Sequence, residues 1–127
     1  MMRNLLKKIS LVFFIPVSIL GQAVWSQTAM DSLQAELKKS SGTNRVDILN
    51  QISLQYHLEH PDSSFNYAKK AKALAIELDY KTGQALAAKN KGNYYVRTSN
   101  YKKAIIEYDL AIALYKEEKS REGQTLI

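Results

Sequence analysis

The sequence predicts an all-α protein of antiparallel helical hairpins stacked side by side as a short α-solenoid. Three observations lead there. The chain repeats itself about forty residues apart: Gly83-Gln84-Ala85-Leu86 returns as Gly123-Gln124-Thr125-Leu126 and Ala71 as Ala111, both at a spacing of 40, while Tyr56 returns as Tyr95 at 39. A period in this range belongs to arrays whose unit is one helical hairpin. Proline and glycine are scarce, 2 and 5 in 127 residues, and alanine, leucine, lysine and glutamate are abundant, which favours helix over sheet. Apolar side chains also recur at helical steps, most cleanly between Tyr101 and Tyr115.

The first element is an export segment. Residues 1–10 carry Arg3, Lys7 and Lys8 and no acid, residues 9–20 are almost wholly apolar, and Gly21, Gln22, Ala23, Val24, Trp25 and Ser26 are mainly small or polar. A basic start, a short apolar stretch and a small-residue exit form the signature of a secretory signal peptide. Pro16 interrupts an apolar run already short of the roughly 20 residues that a spanning helix needs. Cleavage after Ser26 is preferred to cleavage after Ala23, giving a signal peptide of residues 1–26 and a mature chain from Gln27. The alternative is an uncleaved membrane anchor over residues 9–25. Either reading puts the remainder outside the cytoplasm, in the periplasm or the medium.

Residues 27–42 hold a short amphipathic helix beginning near Met30, with Asp31 as cap, Gln34 three residues on and Leu33 and Leu37 as its apolar stripe. The Ser40-Ser41-Gly42-Thr43-Asn44 cluster ends it. The first hairpin occupies residues 43–82. Thr43 or Asn44 caps a helix to about Leu58, with Val46, Leu49, Ile52, Ser53 and Tyr56 inward; Pro61 then breaks the chain. Asp62 or Ser63 caps a second helix to about Leu78 through Phe65, Ala68, Ala71, Leu74 and Ala75, and residues 79–83 form the next turn.

The second hairpin, residues 83–122, repeats the plan. Ala85, Ala88, Gly92 and Tyr95 line a helix from about Thr82 to Thr98. Ser99 or Asn100 caps another, with Tyr101, Ala104, Ile105, Tyr108, Ala111, Ile112 and Tyr115 on its packed face. Glycine at 92 costs about 1 kcal/mol of helix propensity against alanine, so its presence points to a tight helix crossing. Residues 123–127 begin a third unit. A second stripe at Ile106, Leu110 and Leu114 is expected to stay uncovered unless a further helix or a second copy covers it. Two units without a capping helix are few for such an array, so the chain is expected to be a fragment of a longer product.

Residues 85–118 resemble one complete tetratricopeptide repeat, a 34-residue helix–turn–helix unit. Gly92, Tyr95, Tyr101, Ala104, Tyr108 and Ala111 fall at that family's small, aromatic and alanine positions. The pattern departs at Ala88, Lys91 and Lys116, where the family usually has a large aromatic, a leucine and a proline. Residues 43–78 resemble a degenerate earlier copy. The resemblance implies a concave groove lined by the first helix of each repeat, here Leu86, Lys89, Asn90, Asn93, Val96 and Arg97. Residues 89–93 resemble the carboxylate-clamp members of the family, in which a lysine and an asparagine one turn apart grip a peptide's free carboxylate. Exported chains organised this way resemble the periplasmic input regions of membrane signalling proteins with histidine-kinase-like outputs.

The remaining chemistry is excluded residue by residue. With no cysteine there is neither a disulfide framework nor a thiolate metal site. The formal charge of +6 shrinks to +3 once the export segment is set aside, leaving 15 basic and 12 acidic side chains interspersed. Nucleic-acid binders concentrate basic charge, so no nucleic-acid partner is expected. His57 and His60 have a spacing that two metal ligands use, but a proline follows and no third ligand is near. The serines fall at turns, caps or small packing positions, Glu117 and Glu118 sit on an exposed helix end, and no phosphate loop occurs. No cofactor and no enzyme activity are expected. The functional expectation is a module that binds a protein or peptide, the input region of a signalling protein, or alternatively a signal-anchored scaffold that assembles envelope complexes. Self-association through Ile106, Leu110 and Leu114 is a further expectation.

Overall fold

The computed structural model describes residues 17–125, with side-chain surroundings for residues 24–123. The basic and most apolar parts of the export segment, residues 1–16, and the final Leu126 and Ile127 lie outside the described residues. Among the described residues every element is a helix: α1 (Val17–Lys39), α2 (Gly42–Tyr56), α3 (Pro61–Glu77), α4 (Lys81–Arg97) and α5 (Tyr101–Thr125). The chain divides into a unit ending at Ser32 and another beginning at Leu33, and α1 runs across that boundary.

In the first unit, Val24 and Trp25 are exposed, and Gln27 Nε2 donates to Asp31 Oδ1 at 3.0 Å. Asp31 is therefore an interior residue of α1 and does not cap a separate helix at Met30. The reason is local: no glycine or proline falls between Gln22 and Lys39, so nothing stops a helix once begun.

The second unit starts with the end of α1. Ser40 Oγ and Arg45 Nη1 both donate to the Leu37 carbonyl, at 2.9 and 2.6 Å, satisfying an acceptor that a helix end leaves open. Helix α2 then begins at Gly42, ahead of the expected caps Thr43 and Asn44, with Ser41 extended in front of it. It ends at Tyr56, two residues before the expected Leu58. Helix α3 has Pro61 at its first turn, where a missing N–H costs nothing, so Asp62 lies inside the helix near its positive end. Asn100 does serve α5, its Oδ1 accepting the Lys103 N–H at 3.4 Å.

Two turns match. After α3, Asp79 is left-handed at φ 51° and the Tyr80 N–H reaches back to the Ala75 carbonyl at 2.8 Å. After α4, Ser99 is left-handed at φ 59° and the Asn100 N–H reaches the Tyr95 carbonyl at 2.8 Å. Both are Schellman closures, which satisfy the last carbonyls and reverse the chain at once. Gly83, assigned to the turn by the sequence, is a buried residue of α4.

Contacts set the helix directions. Phe65 meets Tyr94 while Ala75 meets Gln84, so α3 and α4 are antiparallel. Lys81 meets Glu117 while Lys91 meets Glu107, so α4 and α5 are antiparallel too. Between α2 and α4 the pairs advance together, Asp47 with Tyr80 and then Asn50 with Asn90, so these two run parallel. Val46, Leu49, Ala71, Ala75 and Ala87 form the core, flanked by Leu37, Tyr67, Leu74 and Tyr80. Three of those five are alanine, which lets the helix axes approach closely. Gly92 marks a close crossing of α4 and α5, where a Cβ would lie 2.6 Å from Tyr108 Cε1.

Helix α5 corrects the expected register. Ala104, Glu107, Ala111 and Leu114 are its buried positions, at steps of three and four. Tyr101, Ile105 and Ile112, placed on the packed face by the sequence, are 61%, 59% and 52% exposed. Leu114, assigned to the open stripe, is only 8% exposed. The sequence offers apolar residues on three sides of this helix, and α4 covers one. Residues 123–125 continue α5 where a third unit was expected to begin.

Candidate functional site

A row of hydrogen bonds stitches α2 to α4 along their parallel course. The Tyr80 hydroxyl donates to Asp47 Oδ1 at 2.9 Å, and Asn50 Nδ2 donates to the Gly83 carbonyl at 3.1 Å. Asn90 Nδ2 donates to the Asn50 carbonyl at 3.1 Å and to Asn50 Oδ1 at 3.3 Å. Arg97 Nη2 donates to the Leu58 carbonyl at 3.2 Å near the far end. Asn50 and Asn90 are both buried, where an amide without partners would cost about 1–3 kcal/mol. They stand 40 residues apart and join α2 to α4 through like side chains.

Beside this seam lies a cleft of about 230 Å³ lined by Asp47, Asn50, Gln51, Leu54, Leu86, Lys89 and Asn90. Two helices contribute to it. Its chemistry is mixed: one carboxylate, one ammonium, three amides and two leucines. The Asp47 carboxylate already accepts the Tyr80 hydroxyl, and burial together with that bond pushes the Tyr80 pKa up to about 12. Amides of this kind donate to and accept from a peptide backbone, and leucines receive an apolar side chain. No nucleophile with an adjoining base lines the cleft.

Of the sequence-derived groove residues, Leu86, Lys89 and Asn90 come together here. Asn93 does not join them: its Oδ1 accepts the Tyr108 hydroxyl at 2.7 Å, between α4 and α5. Lys89 and Asn93 are thus divided between the cleft and a helix interface and do not share one site. Val96 is an exposed residue near the end of α4, and Arg97 is engaged with Leu58. The α2 contribution, Asp47, Asn50, Gln51 and Leu54, was missed by sequence reasoning. The 40-residue match of Asn50 to Asn90 was the signal that could have found it.

Elsewhere, His60 sets its ring edge against Tyr56 at 5.5 Å, and His57 Nδ1 is buried without a hydrogen-bond partner. Among the described residues no group of three or more His, Cys, Asp or Glu could hold a metal ion. No helix among them is long and apolar enough to cross a membrane. Comparison of the chain with family models, curated proteins and solved structures finds no match.

Proposed function

We propose that this chain is a non-catalytic protein- or peptide-binding module of the tetratricopeptide-repeat kind, exported to the periplasm as the input region of a longer membrane signalling protein. The observation that carries the binding reading is the α2–α4 cleft, where Leu54, Leu86, Lys89 and three amides face one space. The parallel course of α2 and α4, joined through Asn50 and Asn90 40 residues apart, supports the repeat assignment. The export and signalling parts rest on the basic-then-apolar leader and on the organisation that the resemblance implies. A signal-anchored envelope scaffold is the second reading, favoured by the aliphatic side chains that α5 leaves exposed.

The binding reading is tested with peptides selected by phage display on the immobilised full chain. Each selected peptide, with free and amidated C-terminus, is then measured by calorimetry against wild type, Leu86→Glu and Lys89→Ala. A charge in the apolar part of the cleft is expected to weaken binding at least about tenfold, and amidation is expected to change little. Peptides that bind Leu86→Glu as tightly as wild type would remove the cleft from consideration.

A further inference from the structure

Helix α5 carries two apolar rows that α4 leaves open. Tyr101, Ile105 and Ile112 form one, Ile106, Leu110 and Ala113 the other, and Lys102, Asp109 and Lys116 run between them at steps of seven. The forty-residue repeat tells the rows apart. On α3 the first row corresponds to Pro61, Phe65 and Lys72, and Phe65 is covered by α4, its ring stacked on Tyr94 at 4.3 Å. The second row corresponds to Asn66, Lys70 and Ala73, which are exposed. The second row is therefore no packing position of the hairpin plan. Its apolar character belongs to α5 alone, where Ile106 is 66% and Leu110 36% exposed.

Opposite charges bound this second row. Lys103, Ile106, Leu110, Ala113 and Glu117 follow one another at steps of three, four, three and four, which keeps them in one stripe about 21 Å long. The cation stands at one end and the carboxylate at the other. Such a stripe is complementary to itself turned end for end. A two-fold axis through Leu110 sets Lys103 against Glu117 of the second copy at both ends and leaves the aliphatic residues facing each other between them. Within one chain these two charges have loose engagements that they can exchange: Lys103 Nζ lies 5.5 Å from the centre of the Tyr95 ring, and Glu117 Oε1 lies 3.7 Å from Lys81 Nζ.

We propose that this stripe docks a second copy of the chain, α5 antiparallel on α5, as a two-fold dimer. It differs from the sequence-derived set by replacing the buried Leu114 with Ala113 and adding the charged ends.

Analytical ultracentrifugation of the full chain tests it, with circular dichroism reporting the fold. Wild type is expected to dimerise with concentration, and less so in high salt. Ile106→Asn with Leu110→Lys installs the residues that α3 carries at the same positions, and is expected to give a folded monomer. Lys103→Glu alone or Glu117→Lys alone is expected to raise the dimer dissociation constant at least about tenfold by setting like charges together. The two charge swaps combined are expected to restore it. A wild-type chain that stays monomeric, a dimer that survives Ile106→Asn/Leu110→Lys, a combined swap that recovers nothing, or loss of the dimer only on replacing Ile105 and Ile112 with serine would each overturn the proposal.

Discussion

Ser99 holds the left-handed backbone at φ 59° that closes α4, a conformation disfavoured for a residue with a Cβ. Ser99→Gly is expected to raise stability by about 0.5–1 kcal/mol, read as a higher urea midpoint at unchanged m-value. Loss of stability would show that the serine side chain matters to the turn. Asp79, the equivalent residue after α3, is a poorer target, because its carboxylate lies 3.5 Å from both Lys81 and Arg121. Gly92 is the opposite case. Its conformation is ordinary helix, and the Tyr108 ring is what excludes a side chain there. Sequence reasoning located that crossing from the cost of a mid-helix glycine. It did not foresee the left-handed turn residues, because serine and aspartate at a helix end read equally well as caps.

Among the elements, α4 and α5 meet most unexpectedly at Lys91 and Glu107. Lys91 stands where the resemblance to tetratricopeptide repeats led one to expect leucine, and its Nζ lies 2.6 Å from Glu107 Oε1, with the two side chains 13% and 12% exposed. Lys72 on α3 stands near the same carboxylate, and burial followed by the Lys91 charge lowers its pKa. Glu107 Oε2 is buried without a hydrogen-bond partner. Glu107→Ala would leave Lys91 buried and uncompensated, so it is expected to cost about 3–5 kcal/mol in urea unfolding. Lys91→Met combined with Glu107→Leu should recover most of that loss, since an apolar pair avoids desolvating either charge. A double variant no better than Glu107→Ala would mean that the pair contributes more than mutual neutralisation. Helix periodicity could not reveal this pair, because it scores charged residues as exposed.

At the scale of the whole molecule, tyrosines link stability to alkaline pH. Tyr80 joins α2 through Asp47, and its pKa stands near 12 against an ordinary 10.0. Burial also raises the pKa of Tyr108 and Tyr115. Between the two Tyr80 values the folded chain keeps a proton that the unfolded chain has released, so stability is full below about pH 10 and falls as pH rises towards about 12. Urea midpoints across that window are expected to drop for wild type and to drop less for Tyr80→Phe. Parallel curves for the two proteins would remove Tyr80 from the account. Much of the architecture was legible beforehand. Helix number from α2 onward, the buried faces of α2 and α3 and the close approach at Gly92 follow from spacing, because a 3.6-residue period and a breaker such as Pro61 act locally. Of the six groove residues that the resemblance implied, Leu86, Lys89 and Asn90 share one cleft in the structure, and spacing alone pointed to none of them. The sequence alone determined that the chain is helical and repeats near forty residues. Only the tertiary structure decided which of the apolar rows on α5 is buried, that Asn50 and Asn90 bond one helix to the next, and that Asn93 turns away from the cleft. Those choices depend on which neighbour reaches a side chain first, and contacts between residues 15 to 40 positions apart leave no mark on local periodicity.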